Sequence, residues 1–336
     1  MDKQLYKSYE GSFRVGAAVS GLFYDEEGFA AKHFNIVVAE NDTKMENMFP
    51  APDTYNFSAA DKFIAMAKAN GQDIRWHTLV WHNQSPDWIF KDADGNKVSK
   101  QVLNQRLKDY IFTIGNRYSK DVCSVDVVNE CISDKTFKLR DGTERSQWFD
   151  ILGPEYIDNA FRWAKEAFPN ASLVINDYNL EMIPGKRQGM YDLVKGMLER
   201  GVPVDTVGLQ MHINQEYPPV SMIEETIQMF GSLGVNVIVT EMDISVYQDF
   251  KDGKEQFQDK KEFTPELMEA QGKRYKEIFE CFERQAKAGI LKDVLLWGIT
   301  DRFTWKNDFP VPGRGDAPLL FDKEGKEKPA FYALLK

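Results

Sequence analysis

Residues 235–239 read Val235-Asn236-Val237-Ile238-Val239, a run that places apolar side chains on both faces of an extended chain. A strand with two apolar faces needs cover on both sides, as parallel strands between helices have. Polar residues that include Glu241 and Asp243 follow the run directly. The stretch therefore predicts a buried parallel strand with acidic side chains at its carboxyl end.

Seven further runs resemble this one, because each is rich in β-branched residues and is followed by a polar tip. Together the runs predict strands at 13–19, 33–39, 73–80, 122–128, 172–175, 206–211, 235–240 and 294–299. Segments of helical period separate them, and this alternation is typical of α/β folds. Eight strands predict a (β/α)8 TIM barrel. An open doubly wound sheet is disfavoured because no Gly-x-Gly-x-x-Gly turn follows the first strand.

Two of the intervening helices are defined by their residue patterns. Apolar residues at helical spacing are Met190, Leu193, Val194, Met197 and Leu198. We expect this helix to end at Gly201, since glycine commonly follows a helix. In another segment, Ser58-x-x-Asp61 predicts a capping box at the start of a helix that ends at Gly71.

The composition is that of a folded globular chain. It has 336 residues, of which 43% are hydrophobic and 28% charged, and no linker rich in Pro, Gly or Ser divides it. We therefore expect one domain over residues 1–336. The segment 249–262 is the most charged, and we expect a solvated loop there.

Acidic residues outnumber basic ones, and the formal net charge is −10 at pH 7. No basic run suits phosphates, and no apolar stretch reaches the roughly 18 residues that a membrane span needs. We therefore expect no nucleic-acid and no membrane partner, and we also expect a monomer. Residues 1–9 do not resemble a signal peptide. We favour a secreted or periplasmic location, with the signal absent from this chain, over a cytoplasmic one.

The cysteine and histidine positions do not indicate a metal site. Cys123, Cys131 and Cys281 form no Cys-x-x-Cys pair, so we expect buried free thiols. In a continuous strand, His77 and His82 would lie on opposite faces, which disfavours a shared metal. We expect neither a metal nor another cofactor.

Polar and aromatic side chains gather where the predicted strands end, which is the catalytic face of such a barrel. In chain order they are Glu40, Asn41, Lys44, His77, Trp81, His82, Asn129, Glu130, Asn176, Asp177, Tyr178, Asn179, Gln210, His212, Glu241, Asp243, Trp297, Asp301 and Trp305. Hydrolysis of a glycosidic bond needs two carboxyl groups, of which one donates a proton and the other attacks or activates water. Indole rings offer flat apolar faces to sugar rings. The set therefore indicates hydrolysis of a neutral sugar polymer.

Eight short motifs carry a family resemblance along nearly the whole chain. They are Ala39-Glu40-Asn41-x-x-Lys44, His77-Thr78-Leu79-Val80-Trp81-His82-x-Gln84-x-Pro86-x-Trp88, Asp126-Val127-Val128-Asn129-Glu130, Asn176-Asp177-Tyr178-Asn179, Gly208-x-Gln210-x-His212, Val239-Thr240-Glu241-x-Asp243, Trp297-Gly298-x-x-Asp301-x-x-x-Trp305 and Pro318-Leu319-Leu320-Phe321-Asp322. In these motifs and their order the chain resembles glycoside hydrolase family 10, the retaining endo-β-1,4-xylanases. The resemblance implies xylan and xylo-oligosaccharides as substrates.

The resemblance implies that Glu130 is the general acid and base, and that Glu241 is the nucleophile. It also implies that His212 bridges Glu241 and Asp243, a network that keeps the nucleophile ionised. Asn129, next to the acid in sequence, resembles the donor to the sugar 2-hydroxyl.

Further positions resemble the family's sugar contacts. Glu40, Asn41 and Lys44 resemble the polar clamp for the glycone sugar one beyond the cleaved residue. His77 and Trp81 resemble the hydrogen-bonding residue and the platform under the cleaved sugar.

The remaining contacts concern the shape of the sugar and the leaving group. Gln84, Trp297 and Trp305 would crowd the hydroxymethyl group that glucose carries and xylose lacks. Tyr178 and Asn179 stand where the family places contacts to the leaving group. The resemblance also implies that Gln210 lies near Asn129.

Two residues depart from the family pattern: Val125 stands where Trp is common, and Cys131 where Ala is common. We expect these two departures to affect local packing and rate, and not the reaction. Two other classes stay open, a retaining β-1,4-glucanase of the same barrel type and a non-catalytic carbohydrate-binding barrel. The presence of both Glu130 and Glu241 disfavours the second.

Overall fold

The structure is a computed structural model that describes residues 3–21, 29–251 and 254–336. The strands are β1 (Arg14–Val19), β2 (Ile36–Ala39), β3 (Asp73–Trp76), β4 (Val80–Trp81), β5 (Ser124–Asn129), β6 (Ser172–Asp177), β7 (Thr206–Leu209), β8 (His212–Asn214), β9 (Asn236–Ser245), β10 (Phe250–Lys251), β11 (Lys254–Glu255) and β12 (Leu291–Leu296). The helices are α1 (Phe29–His33), α2 (Met45–Met48), α3 (Ser58–Ala69), α4 (Lys100–Tyr118), α5 (Gln147–Leu152), α6 (Glu155–Ala167), α7 (Pro184–Glu199), α8 (Val220–Gly231), α9 (Pro265–Lys287) and α10 (Pro329–Ala333).

The main sheet confirms the predicted (β/α)8 barrel. Its hydrogen-bonded order is β12-β1-β2-β3-β5-β6-β7-β9, and β12 also pairs with β9, so these eight strands form a closed ring. Helices follow the strands, as the alternation in the sequence predicts. In such a barrel the carboxyl ends of the strands carry the functional residues.

By packing, the chain divides into two compact units. Unit 1 comprises Met1–Val37, Tyr178–Pro184 and Leu209–Lys336, and unit 2 comprises Val38–Asp177 and Gly185–Gly208. The single domain over residues 1–336 stays a prediction.

In unit 2, parallel ladders align the carboxyl ends of three strands. Strand β5 pairs with β3, β4 and β6. At its end Asn129 lies opposite Trp81 of β4 and opposite Asn176 of β6. The residue after Asn129 therefore leaves the sheet beside two polar strand ends.

In unit 1, β12 pairs in parallel with β1 and with β9, and β9 pairs in parallel with β8. His212 of β8 lies opposite Asp243 of β9. Gly16 of β1 faces Ile36 and Leu295 so closely that any Cβ there would collide with them. The ladder therefore requires glycine at this position.

Strands β5, β6 and β9 extend past their predicted carboxyl ends, and β12 lies three residues earlier than predicted. Strand β9 runs through Glu241 and Asp243, which both pair with His212. Strand β12 begins three residues before 294 and contains Asp293, whose Oδ1 lies 2.7 Å from Nε of Arg14. A charged residue in an apolar run looks like a strand end in the sequence, and here it is not.

Other predicted strands are shorter or divided. The run 33–39 forms strand only from Ile36, because His33 is the last residue of α1. The run 206–211 is strand only to Leu209, and β8 begins at His212. The run 73–80 is divided between β3 and β4, because both the Thr78 hydroxyl and the Leu79 N–H donate to the Asp126 carbonyl.

The predicted capping box at Ser58 is wrong. Phe57 is the N-cap of α3, its side chain makes no capping bond, and Ser58 is already helical. Asn56 Oδ1 instead accepts the Ser58 N–H, and Asp61 pairs with Arg117. The predicted helix around 190–198 is confirmed as part of α7.

Three smaller expectations have different outcomes. All three thiols are free, but Cys123 is only partly buried. The segment 249–262 is not a simple loop, since it contains the antiparallel pair β10 and β11, while residues 252–253 lie outside the described residues. In the part of the chain that the structure describes, no helix has the length and apolar character of a membrane span.

Candidate active site

Every residue proposed for the site lies in, or shortly after, the carboxyl end of a strand, except that Glu241 and Asp243 lie inside β9. In unit 2 these residues are Glu40, Asn41, Lys44, His77, Trp81, Gln84, Asn129 and Glu130. In unit 1 they are Tyr178, Asn179, Gln210, His212, Glu241, Asp243, Trp297 and Trp305.

Glu130 occupies a sharp turn directly after β5. Its φ angle is 56°, a left-handed conformation that costs a non-glycine residue about 1–3 kcal/mol. Its N–H donates to the Asn176 carbonyl at 2.8 Å. Its carboxylate Oε2 accepts the indole N–H of Trp81 at 2.8 Å. Hydrogen bonds therefore fix both the main chain and the side chain of Glu130, and the protein maintains this left-handed conformation despite its free-energy cost.

Asn129 is held immediately before this turn. It is buried, and its Oδ1 accepts the side-chain N–H of Asn176 at 2.9 Å. That bond fixes the orientation of the Asn129 amide, with its nitrogen as the donor end. An oriented amide donor beside a carboxyl group suits a sugar hydroxyl.

His77 is oriented by a buried carboxylate. Its Nδ1 lies 2.8 Å from Oδ2 of Asp126, and Arg75 donates to the other oxygen of that carboxylate. Burial opposes the charge of Asp126, but Arg75 and His77 outweigh it and lower the pKa of Asp126. Sequence reasoning missed Asp126 and Arg75 as site residues, although charged residues in such apolar runs are themselves a signal.

A polar cluster follows β2. Lys44 Nζ donates to Asn41 Oδ1 at 2.9 Å and lies 5.0 Å from the centroid of the Trp81 ring. Burial raises the pKa of Glu40, and Lys44 offsets part of that rise. Gln84 has a φ of 46°, and its carbonyl accepts the N–H of Glu46 in α2. The structure thus brings Asn41, Lys44 and Trp81 together.

In unit 1, His212 bridges two carboxylates. Its Nε2 lies 3.4 Å from Glu241 Oε2, and its Nδ1 lies 2.8 Å from Asp243 Oδ2. Burial alone would lower the pKa of His212, but the charge of Asp243 and hydrogen bonds to both carboxylates raise it to about 9. The ring is therefore positively charged at neutral pH and favours negative charge on both carboxylates.

Asp243 has two further polar neighbours. The Trp305 indole N–H donates to its Oδ2 at 2.9 Å, and Lys306 Nζ lies 3.6 Å from its Oδ1. Burial opposes the charge of Asp243, yet Lys306 and His212 hold its pKa below the usual value. Sequence reasoning missed Lys306, since it identified the neighbouring Trp305 only by its motif. The ring of Trp297 lies farther from this network, 6.5 Å from the His212 centroid.

The remaining unit 1 residues are placed by the main chain. Gln210 is buried, and its carbonyl accepts the Glu241 N–H at 3.1 Å. Asn179 has φ 61°, and its carbonyl accepts the N–H groups of Met182 and Ile183. Tyr178 precedes it and is half-buried.

No group of three or more His, Cys, Asp and Glu side chains arranged to hold a metal ion occurs within residues 3–21, 29–251 and 254–336. The site contains two carboxyl groups, those of Glu130 and Glu241, in unequal surroundings. Glu130 contacts a neutral indole, and Glu241 contacts a charged imidazole. Unequal surroundings separate an acid from a permanently ionised group.

Comparisons with known proteins give one family. The model of Glycosyl hydrolase family 10 matches residues 4–336. Endo-1,4-beta-xylanase B of Paenibacillus barcinonensis is 42% identical over 332 residues, which are 98% of this chain and 97% of that protein. The thermostable celloxylanase of Thermoclostridium stercorarium is 38% identical over 355 residues, covering 98% of this chain and 86% of that protein. A solved structure of GH10 from Paenibacillus barcinonensis has a TM-score of 0.94 at 40% identity, covering 99% of this chain and 96% of that chain.

Proposed function

Because the chain belongs to glycosyl hydrolase family 10, we propose that Glu241 is the nucleophile and Glu130 the general acid and base of a retaining xylanase. The chain is an endo-β-1,4-xylanase that hydrolyses xylan and xylo-oligosaccharides with retention of configuration. The observation that carries the two roles is the contrast between the carboxyl groups. Glu241 lies beside the charged His212, which suits a permanent anion, whereas the Glu130 carboxylate accepts the N–H of the neutral Trp81 indole.

In the first step, the Glu241 carboxylate attacks the anomeric carbon of the glycone xylose. The bond from that carbon to the leaving oxygen breaks, and Glu130 gives its proton to this oxygen. In the second step, ionised Glu130 takes a proton from water as the water oxygen displaces Glu241. Two inversions give net retention, and both carboxyl groups return to their starting states. This mechanism requires the two carboxyl groups to be about 5–5.5 Å apart.

Substrate contacts are proposed from the same positions. Lys44, Asn41 and Glu40 bind the second glycone sugar. The hydrogen bond from Lys44 to Asn41 and the effect of Lys44 on the pKa of Glu40 support a pre-arranged clamp. His77 and Trp81 bind the sugar that is cleaved. The fixed tautomer that Asp126 gives His77 supports a defined hydrogen-bonding role.

The other contacts follow the family pattern. Asn129 donates to the 2-hydroxyl with Gln210 nearby, Tyr178 and Asn179 bind the leaving side, and Gln84, Trp297 and Trp305 exclude a hydroxymethyl group.

The continuous family match supports one catalytic domain over residues 1–336. The net charge of −10 supports action without nucleic-acid or membrane partners, and we propose a monomer that needs no cofactor.

Substrate choice is tested by reducing-sugar release from xylan and cellulose in parallel. We expect xylan to be cleaved at least about 10- to 200-fold faster, the range that one extra carbon-sized group in a pocket gives. Glu241→Ala supplies the background for both polymers. Faster release from cellulose would establish the glucanase alternative, and equal rates would contradict the exclusion of a hydroxymethyl group. No release from either would favour the non-catalytic barrel.

Lys44→Ala should reduce kcat/KM on xylotriose by about tenfold or more, because a hydrogen bond from a charged group contributes about 1.5–3 kcal/mol. Long xylan retains other contacts, so its loss should be at most about a third of that. Lys68→Ala, which removes an exposed lysine paired with Asp121, is the matched control and should change neither substrate. Equal losses on xylotriose and xylan would place Lys44 outside the binding site.

A further inference from the structure

A compact hairpin, residues 131–140, begins directly after Glu130. Ile132 bridges Leu139 in antiparallel fashion, and the Ser133 N–H donates to the Lys138 carbonyl at 2.8 Å. The Arg140 N–H closes the base of the hairpin on the Cys131 carbonyl at 2.7 Å. The base of this hairpin therefore lies one peptide bond from Glu130.

Arg140 ties the hairpin to the main chain of Glu130. It is nearly buried, and its Nε donates to the Glu130 carbonyl at 3.2 Å. Its Nη2 donates to the Ile132 carbonyl at the same distance. The left-handed turn at Glu130 is thus bonded on its carboxyl side to the hairpin, so a shift of the hairpin shifts the turn.

Lys186 fixes the same hairpin to two other elements. This lysine of α7 has no exposed surface. Its Nζ lies 2.8 Å from Asp134 Oδ1 in the hairpin and 2.9 Å from Asp177 Oδ1 at the end of β6. The other oxygen of Asp177 accepts the Ile132 N–H at 3.0 Å. One buried cation therefore joins the hairpin, β6 and α7.

Close packing against α7 adds an uncharged contact. A Cβ at Gly185 would collide with the ring of Phe137, and a Cβ at Gly189 would collide with the Phe137 carbonyl oxygen. Phe137 itself has φ 59° and is 39% exposed. Both its ring and its backbone therefore pack against α7. At Gly189 the clash is with backbone, so the helix surface needs glycine there to admit the hairpin.

We propose that Asp134, Lys186 and Gly189 are positioning residues for proton donation, which hold the Glu130 turn in place by fixing the hairpin on α7. The inference rests on the proposed role of Glu130 as the acid. In this proposal none of the three binds the substrate. Their effect is geometric, because a displacement of about 1 Å at a reacting group costs up to about 10²-fold in rate.

The test is the dependence of kcat/KM on the leaving group, measured with aryl β-xylobiosides whose phenols range from strongly to weakly acidic. An acidic phenol leaves without a proton, whereas a weakly acidic phenol needs the acid. Gly189→Ala should reduce kcat/KM about tenfold or more for the weakly acidic phenol and less than about twofold for the acidic one. The matched control is Gly196→Ala in the same helix, where a Cβ meets only the flexible end of Arg200.

Asp134→Asn weakens the same attachment of the hairpin to α7 by removing a charge, whereas Gly189→Ala changes the shape of the helix surface. Its side chain is 34% exposed, and the pair of Lys186 with Asp177 remains, so this variant keeps the buried pair intact. We expect the same selective loss. Asp158→Asn, which removes a partner of Arg200 near the other end of α7, should behave as the unaltered protein does.

Equal losses for both phenols in the two test variants would show a merely structural role and overturn the inference, as would no loss for either phenol. Glu130→Ala in the same series separates the two levels of the proposal. Selective loss in Glu130→Ala without selective loss in Gly189→Ala and Asp134→Asn overturns the positioning role alone. Absence of selective loss in Glu130→Ala overturns the acid role and the inference with it.

Discussion

Replacing Glu241 with alanine should abolish hydrolysis of xylan and of aryl xylobiosides, whatever the acidity of the phenol. Both steps of the reaction use the Glu241 carboxylate, first to form the bond to the anomeric carbon and then to leave it. The loss of kcat should therefore exceed the roughly 10²–10⁴-fold that proton transfer contributes. Phenol release measured spectroscopically gives the rate directly.

The Glu241→Ala protein should remain folded. The Glu241 N–H that bonds to Gln210 belongs to the main chain, and His212 retains its 2.8 Å contact with Asp243. A thermal unfolding transition separates loss of chemistry from loss of structure. Activity that survives on acidic phenols in a folded Glu241→Ala protein would contradict the role of nucleophile.

Replacing Glu130 with alanine should have a different effect. On xylan, whose leaving oxygen needs a proton, kcat/KM should fall by about 10²–10⁴-fold, the usual contribution of a general acid. With an acidic phenol as leaving group the first step should still proceed at a useful rate. The protein should then stall as the covalent glycosyl-enzyme, because no base activates water. Mass spectrometry should show the added sugar mass on the stalled protein.

The alanine variant also removes the acceptor for the Trp81 indole N–H. Glu130→Gln keeps an oxygen at that position and cannot transfer a proton, so it serves as the matched variant. Similar kinetics in the two variants would assign the loss to the missing proton. Equal inactivity of both on acidic and weakly acidic phenols would contradict the acid role.

The eight strands were predictable because each is covered on both faces and therefore reads as an apolar run. Their ends were less predictable where a buried charge continues the strand. Asp293 in β12 and Asp243 in β9 both interrupt the apolar pattern, yet Arg14 and His212 pair with them. Such partners lie far away in sequence, so local pattern alone indicates a strand end.

The candidate site was predictable at the level of its motifs, and its supporting contacts were not. Glu130, Trp81 and His212 stand in recognisable motifs at strand ends, and the structure gives each a polar partner. Lys186 and Asp134 are separated by 52 positions and belong to no such motif. Only the folded chain brings them together beside the turn at Glu130.

The configuration of a glycosyl azide tests the assignment of both glutamates most directly. Azide needs no base, so it should restore turnover of an acidic-phenol xylobioside by Glu130→Ala. It attacks the covalent intermediate on Glu241, so proton NMR should show the β-glycosyl azide. With Glu241→Ala, any azide product should arise by direct displacement and be the α-anomer. A β-glycosyl azide from Glu241→Ala, or an α-glycosyl azide from Glu130→Ala, would contradict the proposed roles.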